Sequence, residues 1–248
     1  MVARNQTSNS RRQIRWIAIS AGAVLSAAVS AELMPRTFAD TSVVVPPPVL
    51  TEPVNSGVPS ERAILAGGCF WGVQAVFQHL KGVNNVISGY AGGNGNTAQY
   101  ETVGGGQTGH AESVEIEFDP RLINYGTILQ VYFAVAHDPT ELDHQGPDWG
   151  TQYRSAIFPA NNAQMQVAKA YIRQLDKAGT FAGPIVTRIE SGKAFYPAEA
   201  YHQDYATLHP DQPYIAFNDL PKISNLSRLF PDLYRPKARL VADIAASN

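Results

Sequence analysis

The sequence predicts an α+β domain, and three observations carry that prediction. Glu112 to Phe118 alternates strictly, with Val114, Ile116 and Phe118 on one face and Glu115 and Glu117 on the other, the pattern of a half-buried strand. Phe70 to Leu80 instead has apolar residues at 70, 73, 76, 77 and 80, a helical period stopped by Gly82. Segments of both kinds follow one another along the chain with long connections between them.

Residues 1–39 read as a signal peptide or N-terminal anchor: Arg11 to Trp16 precedes an apolar run from Ile17 to Ala31, about fifteen residues long, short for a membrane span and suited to a signal h-region. Val29-Ser30-Ala31 offers a small-residue cleavage site, and Ser10-Arg11-Arg12-Gln13-Ile14 resembles a twin-arginine signal. Export to the bacterial periplasm or cell envelope is therefore expected. Residues 40–60 hold five prolines and read as a linker. From Glu61 the pattern is globular. Ala63 to Ala66 suits a buried strand and Val83 to Tyr90 a second one. Residues 89–109 contain eight of the 20 glycines and are expected to form a long irregular loop. Asn124 can cap a helix running to about Ala136. Tyr153 to Phe158 is expected as a strand, Ala160 to Lys177 as a helix closed by Gly179, and Pro184 to Glu190 as another strand. Tyr196 to Tyr205 reads more readily as a packed amphipathic helix than as a site, and the segment from Pro210 to 235 shows little periodicity. Residues 236–248 read as a C-terminal tail.

Composition narrows the function. The 248 residues are 44% hydrophobic and 16% charged, which excludes a disordered chain, and the net charge of −2 gives no electrostatic basis for nucleic-acid binding. The charge is uneven: residues 1–39 carry +4 and the rest −6. One cysteine excludes an intramolecular disulfide framework and a zinc site built on several cysteines.

That cysteine, Cys69, follows a strand and two glycines and opens a helix. Unpaired backbone N–H groups at a helix N-terminus favour the thiolate, the nucleophilic form. The alternative is a buried, inert cysteine acting as a small hydrophobe. Phe70 and Trp71 follow it and could pack the core or wall an apolar pocket. Counting by twos from Val114 puts Glu112 on the buried face of its strand, where a carboxyl is costly unless protonated or hydrogen-bonded; a raised pKa would make it a general acid. His110 has the opposite parity. Asp148 to Ser155 runs from a polar loop into a strand and could face a site.

Gly68-Cys69-Phe70-Trp71-Gly72, Thr108-Gly109-His110-Ala111-Glu112, Gly150-Thr151-Gln152-Tyr153-Arg154-Ser155 and Tyr201-His202-Gln203 occur together in this order. The set resembles the A-type peptide methionine sulfoxide reductase family over residues 61–235. The resemblance implies a two-layer sandwich with a mixed sheet flanked by helices, ferredoxin-like at its core, and reduction of the S-epimer of methionine sulfoxide in the repair of oxidised proteins. It implies that Cys69 is the nucleophile, that Phe70 and Trp71 hold the methyl group, that Glu112 protonates the sulfoxide oxygen, and that Tyr100 and Tyr153 bind that oxygen. Asp148 matches a loop carboxylate that organises the site and His202 a site-lining histidine. The chemistry is coherent: oxide is an impossible leaving group, so an acid and hydroxyl donors must converge on the oxygen while a thiolate attacks sulfur. No metal or organic cofactor is implied, and the partners expected are oxidised proteins or peptides and a thiol reductant, with the chain itself a monomer that meets membrane only through its first segment. Many relatives carry C-terminal resolving cysteines; here no cysteine follows Cys69, and the Pro213 to Lys222 stretch resembles single-cysteine members. An external thiol such as thioredoxin, glutaredoxin or glutathione is then required to reduce the Cys69 sulfenic acid.

Two other functions compete. A cysteine hydrolase would pair Cys69 with His110 or His202. A non-catalytic module would bind oxidised methionine through the aromatic pocket alone.

Overall fold

A computed structural model describes residues 42–52 and 57–245 of the chain. The expected targeting segment, residues 1–39, lies outside the described residues. Among those described, no helix is long and apolar enough to cross a membrane.

Four strands build the centre of the sheet: β1 (Glu61–Gly67), β2 (Val83–Ala91), β3 (Ala111–Phe118) and β6 (Ser155–Phe158). Helix α1 (Phe70–Gln78) joins β1 to β2, and α3 (Tyr125–Val131), continued by a π-helical turn at Tyr132–Ala136, lies between β3 and β6. The two units interleave, so the order across the centre is β6-β1-β3-β2, the split arrangement of a ferredoxin-like core. These four are antiparallel, with Leu65 opposite Val114 and Gly67 opposite Ser155. The edges are β7 (Arg188–Ile189), parallel to β6, and β8 (Phe195–Pro197), antiparallel to β2, which makes the sheet mixed.

The alternation in β3 has the consequence expected of it. Val114, Ile116 and Phe118 are fully buried with Leu65, Phe77 and Ile128 in the main core, whereas Glu115 and Glu117 are half-buried. The other face of the sheet is covered through small residues, Ala66, Ala91, Ala111 and Ala156. The cap named from sequence forms, Asn124 accepting the Thr127 N–H at 2.8 Å; Asn161, not named there, likewise accepts the Gln164 N–H at 2.8 Å at the start of α4 (Asn162–Ala178). Gly179 closes α4 in the left-handed conformation, φ +60°.

Several expectations need correction. The glycine-rich stretch at 89–109 contains the end of β2 and a short helix, α2 (Tyr100–Val103). Of the strand expected at Pro184–Glu190 only β7 pairs with the sheet; the Val186 N–H donates instead to the Pro139 carbonyl at 2.8 Å. The segment 196–205 is an edge strand, a 3₁₀ turn at Ala200–His202 and the start of α5 (Tyr205–Leu208), not one amphipathic helix. The stretch after Pro210 is largely helical: a π turn at Ile215–Asp219 leads into α6 (Leu220–Leu229), with Pro221 in the first turn, where its missing N–H costs nothing.

The proline-rich stretch, expected as a linker, lies against the helical layer over residues 42–52. Val45 is buried in the core, and the carbonyls of Val45, Pro46 and Pro47 accept from Gln130, Tyr171 and Gln174. Proline lacks a donor but keeps its carbonyl, and side chains of α3 and α4 supply the missing half of each bond. The tail also docks, through α7 (Val241–Ala245), whose first N–H groups donate to Asp204.

Candidate active site

Cys69 is the N-cap of α1, one residue after Gly68 at φ +83°. A Cβ on Gly68 would lie 2.5 Å from the Gln145 side chain, so only glycine brings the chain through this turn. Gln145 belongs to a small hairpin, β4 (His144–Gln145) paired with β5 (Asp148–Trp149), and is held by both backbone groups of Asp138, its oxygen accepting the N–H at 3.0 Å and its Nε2 donating to the carbonyl at 2.6 Å. The hairpin delivers Asp148 to the cysteine.

Glu112 comes from the first turn of β3, on the buried face as its parity requires. It is 3% exposed, and its Oε2 accepts the backbone N–H of Phe70 at 3.1 Å. Burial pushes its pKa up to about 8, with Asp148 and Asp219 adding to the rise and the Phe70 N–H opposing it. At neutral pH this carboxyl carries a proton.

The cysteine departs from expectation. Burial pushes its pKa well above the ordinary range, and negative charge on Glu112, Asp219 or Asp148, wherever one is ionised, pushes the same way; only the backbone N–H of Trp71 opposes them. The helix N-terminus favours a thiolate, but one terminus cannot offset full burial among three carboxyl groups. The resting group is a thiol.

Phe70 and Trp71 sit in an aromatic cluster with Tyr100 and His202. The His202 ring is 5.1 Å from Phe70, 5.8 Å from Trp71 and 4.3 Å from Tyr100, and Tyr205 stacks on Trp71 at 4.0 Å. The Trp71 indole N–H donates to His202 Nδ1 at 3.2 Å, which fixes the histidine as the Nε2–H tautomer. Tyr100 and Tyr153 are half-buried, and both phenol pKa values are raised, by burial first and then by Glu112 and other charged neighbours at the site. The eight residues to which the resemblance gives a role, Cys69, Phe70, Trp71, Tyr100, Glu112, Asp148, Tyr153 and His202, therefore belong to one region.

His110 does not. It is buried, accepts the Gly93 N–H at 3.2 Å and binds the Asn94 carbonyl at 2.9 Å, stapling the glycine-rich loop. Neither His110 nor His202 hydrogen-bonds Cys69, so the pairing a cysteine hydrolase needs is missing among the described residues. No cluster of three metal-ligating side chains occurs among the described residues either.

Other residues at the site were not anticipated. Tyr214 donates a very short hydrogen bond to Asp148 and packs edge-on against Trp71. Asp219, fully buried, pairs with Lys222 at 3.3 Å. A Cβ on Gly72 would fall 2.0 Å from Asp219 Oδ1, so that glycine makes room for the pair. Glu199 accepts the Tyr100 backbone N–H at 3.0 Å and the Tyr90 hydroxyl at 2.9 Å, anchoring α2. Arg154 binds Glu190 at 2.9 Å and the Gly109 carbonyl at 3.0 Å, tying the glycine-rich loop to β6.

Comparison with known proteins agrees with this geometry. The family model described as peptide methionine sulfoxide reductase matches residues 61–232. The chain is 64% identical over 189 residues to peptide methionine sulfoxide reductase MsrA 2 of Mesorhizobium japonicum, covering 76% of this chain and 96% of that one. It is 47% identical over 193 residues to MsrA 2 of Synechocystis, covering 77% and 90%. Among solved structures, the reduced form of Mxr1 from Saccharomyces cerevisiae superposes with a TM-score of 0.56 at 32% identity, covering 63% of this chain and 90% of that one. Methionine sulfoxide reductase A of Corynebacterium diphtheriae gives 0.51 at 32% identity, covering 68% and 89%.

Proposed function

The chain belongs to the peptide methionine sulfoxide reductase family, A type, and reduces the S-epimer of methionine sulfoxide to methionine; from that premise we propose how its own residues do so. The observation that carries the mechanism is the Glu112 carboxyl, buried, protonated at neutral pH and bonded to the residue that follows the cysteine.

The sulfoxide methyl group enters the apolar space between Phe70 and Trp71. Its oxygen accepts from the Tyr100 and Tyr153 hydroxyls and from the Glu112 carboxyl. Cys69 Sγ attacks the sulfoxide sulfur as Glu112 gives its proton to the oxygen, and the thiol proton of Cys69 restores the acid. The balance is one oxygen moved: Cys69–SH and the sulfoxide become Cys69–SOH and the thioether, with Cys69 oxidised by two electrons. Burial of Cys69 as a thiol fits this scheme, because the sulfur loses its proton only when a proton acceptor, the substrate oxygen, is present. His202 keeps Trp71 in place through its Nδ1. Asp148, bonded to Tyr214, holds the hairpin over the sulfur.

Since Cys69 is the only cysteine, the sulfenic acid has no partner in its own chain. An external thiol attacks it to give a mixed disulfide and water, and a second thiol restores Cys69. Reduced protein mixed with excess methionine sulfoxide and no thiol is expected to release one methionine per chain, after which a sulfenic-acid reagent labels Cys69. Many turnovers without added thiol, or activity retained in Cys69→Ser, would overturn the scheme.

The physiological setting rests on the sequence. The Arg-containing start, the Ile17–Ala31 apolar run and the acidic remainder support export to the bacterial envelope, where oxidised proteins are the substrates. Cell fractionation tests it: full-length protein found only in the cytosol contradicts export. Changing Arg11 and Arg12 to lysine blocks export if the twin-arginine route is used.

A further inference from the structure

Cys69 also lines a small cleft, about 20 Å³, room for about one water molecule. Its other walls include Asp148, Tyr214, Asn218 and Lys222, and none of Phe70, Trp71, Tyr100, Glu112 or Tyr153 takes part. Lys222 is the only cation among the described lining residues. His137, which also lines the cleft, is neutral, since burial pushes its pKa down to about 3.

Lys222 is only 17% exposed and Asp219 Oδ1 is its one hydrogen-bond partner among the described residues, although an ammonium has three donors. The other oxygen of the fully buried Asp219 has no hydrogen-bond partner among the described residues. Ion pairs taken this far from water seldom add stability, so this one calls for a reason of another kind. The surroundings of Cys69 otherwise hold the carboxyl groups of Asp148 and Asp219, both of which push its pKa up. An incoming thiolate would meet the same repulsion unless a cation met it first.

Resting on the sulfenic-acid scheme above, we propose that this cleft is where the regenerating thiol reaches Cys69, and that Lys222 holds it there as the thiolate. Displacement at divalent sulfur runs in line, with nucleophile, sulfur and departing oxygen on one axis. The departing oxygen stays beside Glu112, Tyr100 and Tyr153, where the sulfoxide oxygen was. The nucleophile must therefore come from the side of Sγ away from that group, and the cleft is lined by Cys69 and by none of that group. The step is RS⁻ plus Cys69–SOH plus one proton, giving Cys69–S–S–R and water. The S–O bond breaks, the S–S bond forms, and Glu112 supplies the proton to the departing hydroxide. The cleft has room for little more than the thiol sulfur, so the carbon that bears it lies at the mouth and the ligand class is a thiolate on an unbranched carbon; a tertiary carbon there holds the sulfur out.

The test separates the two half-reactions. Protein carrying the Cys69 sulfenic acid is mixed with 2-mercaptoethanol, and formation of the mixed disulfide is followed by mass. Lys222→Met is expected to slow this capture about tenfold, the change in thiolate fraction for one unit of thiol pKa, while the methionine burst keeps its amplitude; Lys222→Arg restores capture. Penicillamine, with its sulfur on a tertiary carbon, should react far more slowly than 2-mercaptoethanol. A cysteine within a short peptide should be captured comparably to 2-mercaptoethanol; capture of the peptide alone would place recognition outside the cleft and overturn the proposal. In a crystal structure of the native mixed disulfide the added sulfur should lie in the cleft between Asp148 and Lys222. Finding it against Phe70 and Trp71, or unchanged capture in Lys222→Met, overturns the proposal, and the crystal structure decides if that variant does not fold. A native protein that shows no methionine burst would overturn the sulfenic-acid scheme itself.

Discussion

The backbone N–H of Phe70 donates to Glu112 Oε2, and through this one bond the acid from β3 is fixed to the first turn of the helix that the cysteine caps. The proton and the nucleophile are thus held on a common frame although 43 positions separate them in sequence. Glutamine at 112 can still accept the Phe70 N–H but has no acidic proton. Glu112→Gln is therefore expected to fold normally and to slow the methionine burst by roughly 10²–10⁴-fold, the usual contribution of general acid catalysis. A near-native burst rate at pH 7 would remove Glu112 from the mechanism.

The same carboxyl makes stability depend on pH. Its pKa is raised from 4.5 in the unfolded chain to about 8 in the fold, so the folded state holds the proton more tightly. That stabilisation is complete below about 4.5 and is lost as pH rises through about 8. Thermal unfolding of the native protein should decline relative to Glu112→Gln across this window and run parallel to it above. Parallel curves throughout would show that the carboxyl is not raised.

Gly72 leaves no room for a side chain, since its Cβ would overlap Asp219 Oδ1. Gly72→Ala should destabilise the fold by about 1–3 kcal/mol, the usual cost of overpacking. Denaturant unfolding measures it; a loss under about 0.5 kcal/mol, typical of neutral surface changes, would mean that Asp219 moves freely.

Glu199 holds α2 by its first N–H and so positions Tyr100 without touching the substrate. Displacing a reacting group by about 1 Å can cost 10²-fold, so Glu199→Ala should slow the burst by roughly 10- to 100-fold. Glu199→Gln, which keeps an acceptor for Tyr100, should stay within a few-fold of native. Equal losses in both variants would point to the charge rather than the bond.

Removing residues 42–52 exposes the core site of Val45 and leaves Tyr171 and Gln174 without their acceptors. A chain starting at residue 57 should unfold about 1–3 kcal/mol more easily, from one buried valine and lost hydrogen bonds, with its burst rate unchanged. An identical denaturation midpoint would show that the strap adds nothing.

What the sequence made legible follows from the range of the interactions concerned. The period of β3 is local, and it located both the strand and the buried position of Glu112. The glycines around Cys69, the cap Asn124 and the closing Gly179 are equally local, and each forms as read. Tyr214, Asp219 and Lys222 gave no such indication, because they matter through contact with residues some 70 to 150 positions away and lie in a proline-bearing stretch without a clear period. Glu199 looks like any loop carboxylate until Tyr90 and Tyr100 are seen to meet it. The cysteine shows the reverse error: its helix position was legible, but the carboxyl groups that keep it a thiol come from distant segments and prevail.

The segment that completes the surroundings of Cys69 has a consequence for how the protein is made. Lys222 leaves the ribosome 153 residues after Cys69, a delay of roughly 8 to 30 s at typical synthesis rates of about 5–20 residues per second. Throughout that interval the nascent thiol lacks Tyr214, Asp219 and Lys222, and the acidic enclosure that suppresses its ionisation is incomplete. The growing chain is therefore more open to oxidants than the finished one, and a stalled or shortened translation product exposes the one sulfur that the complete fold keeps protonated until substrate arrives.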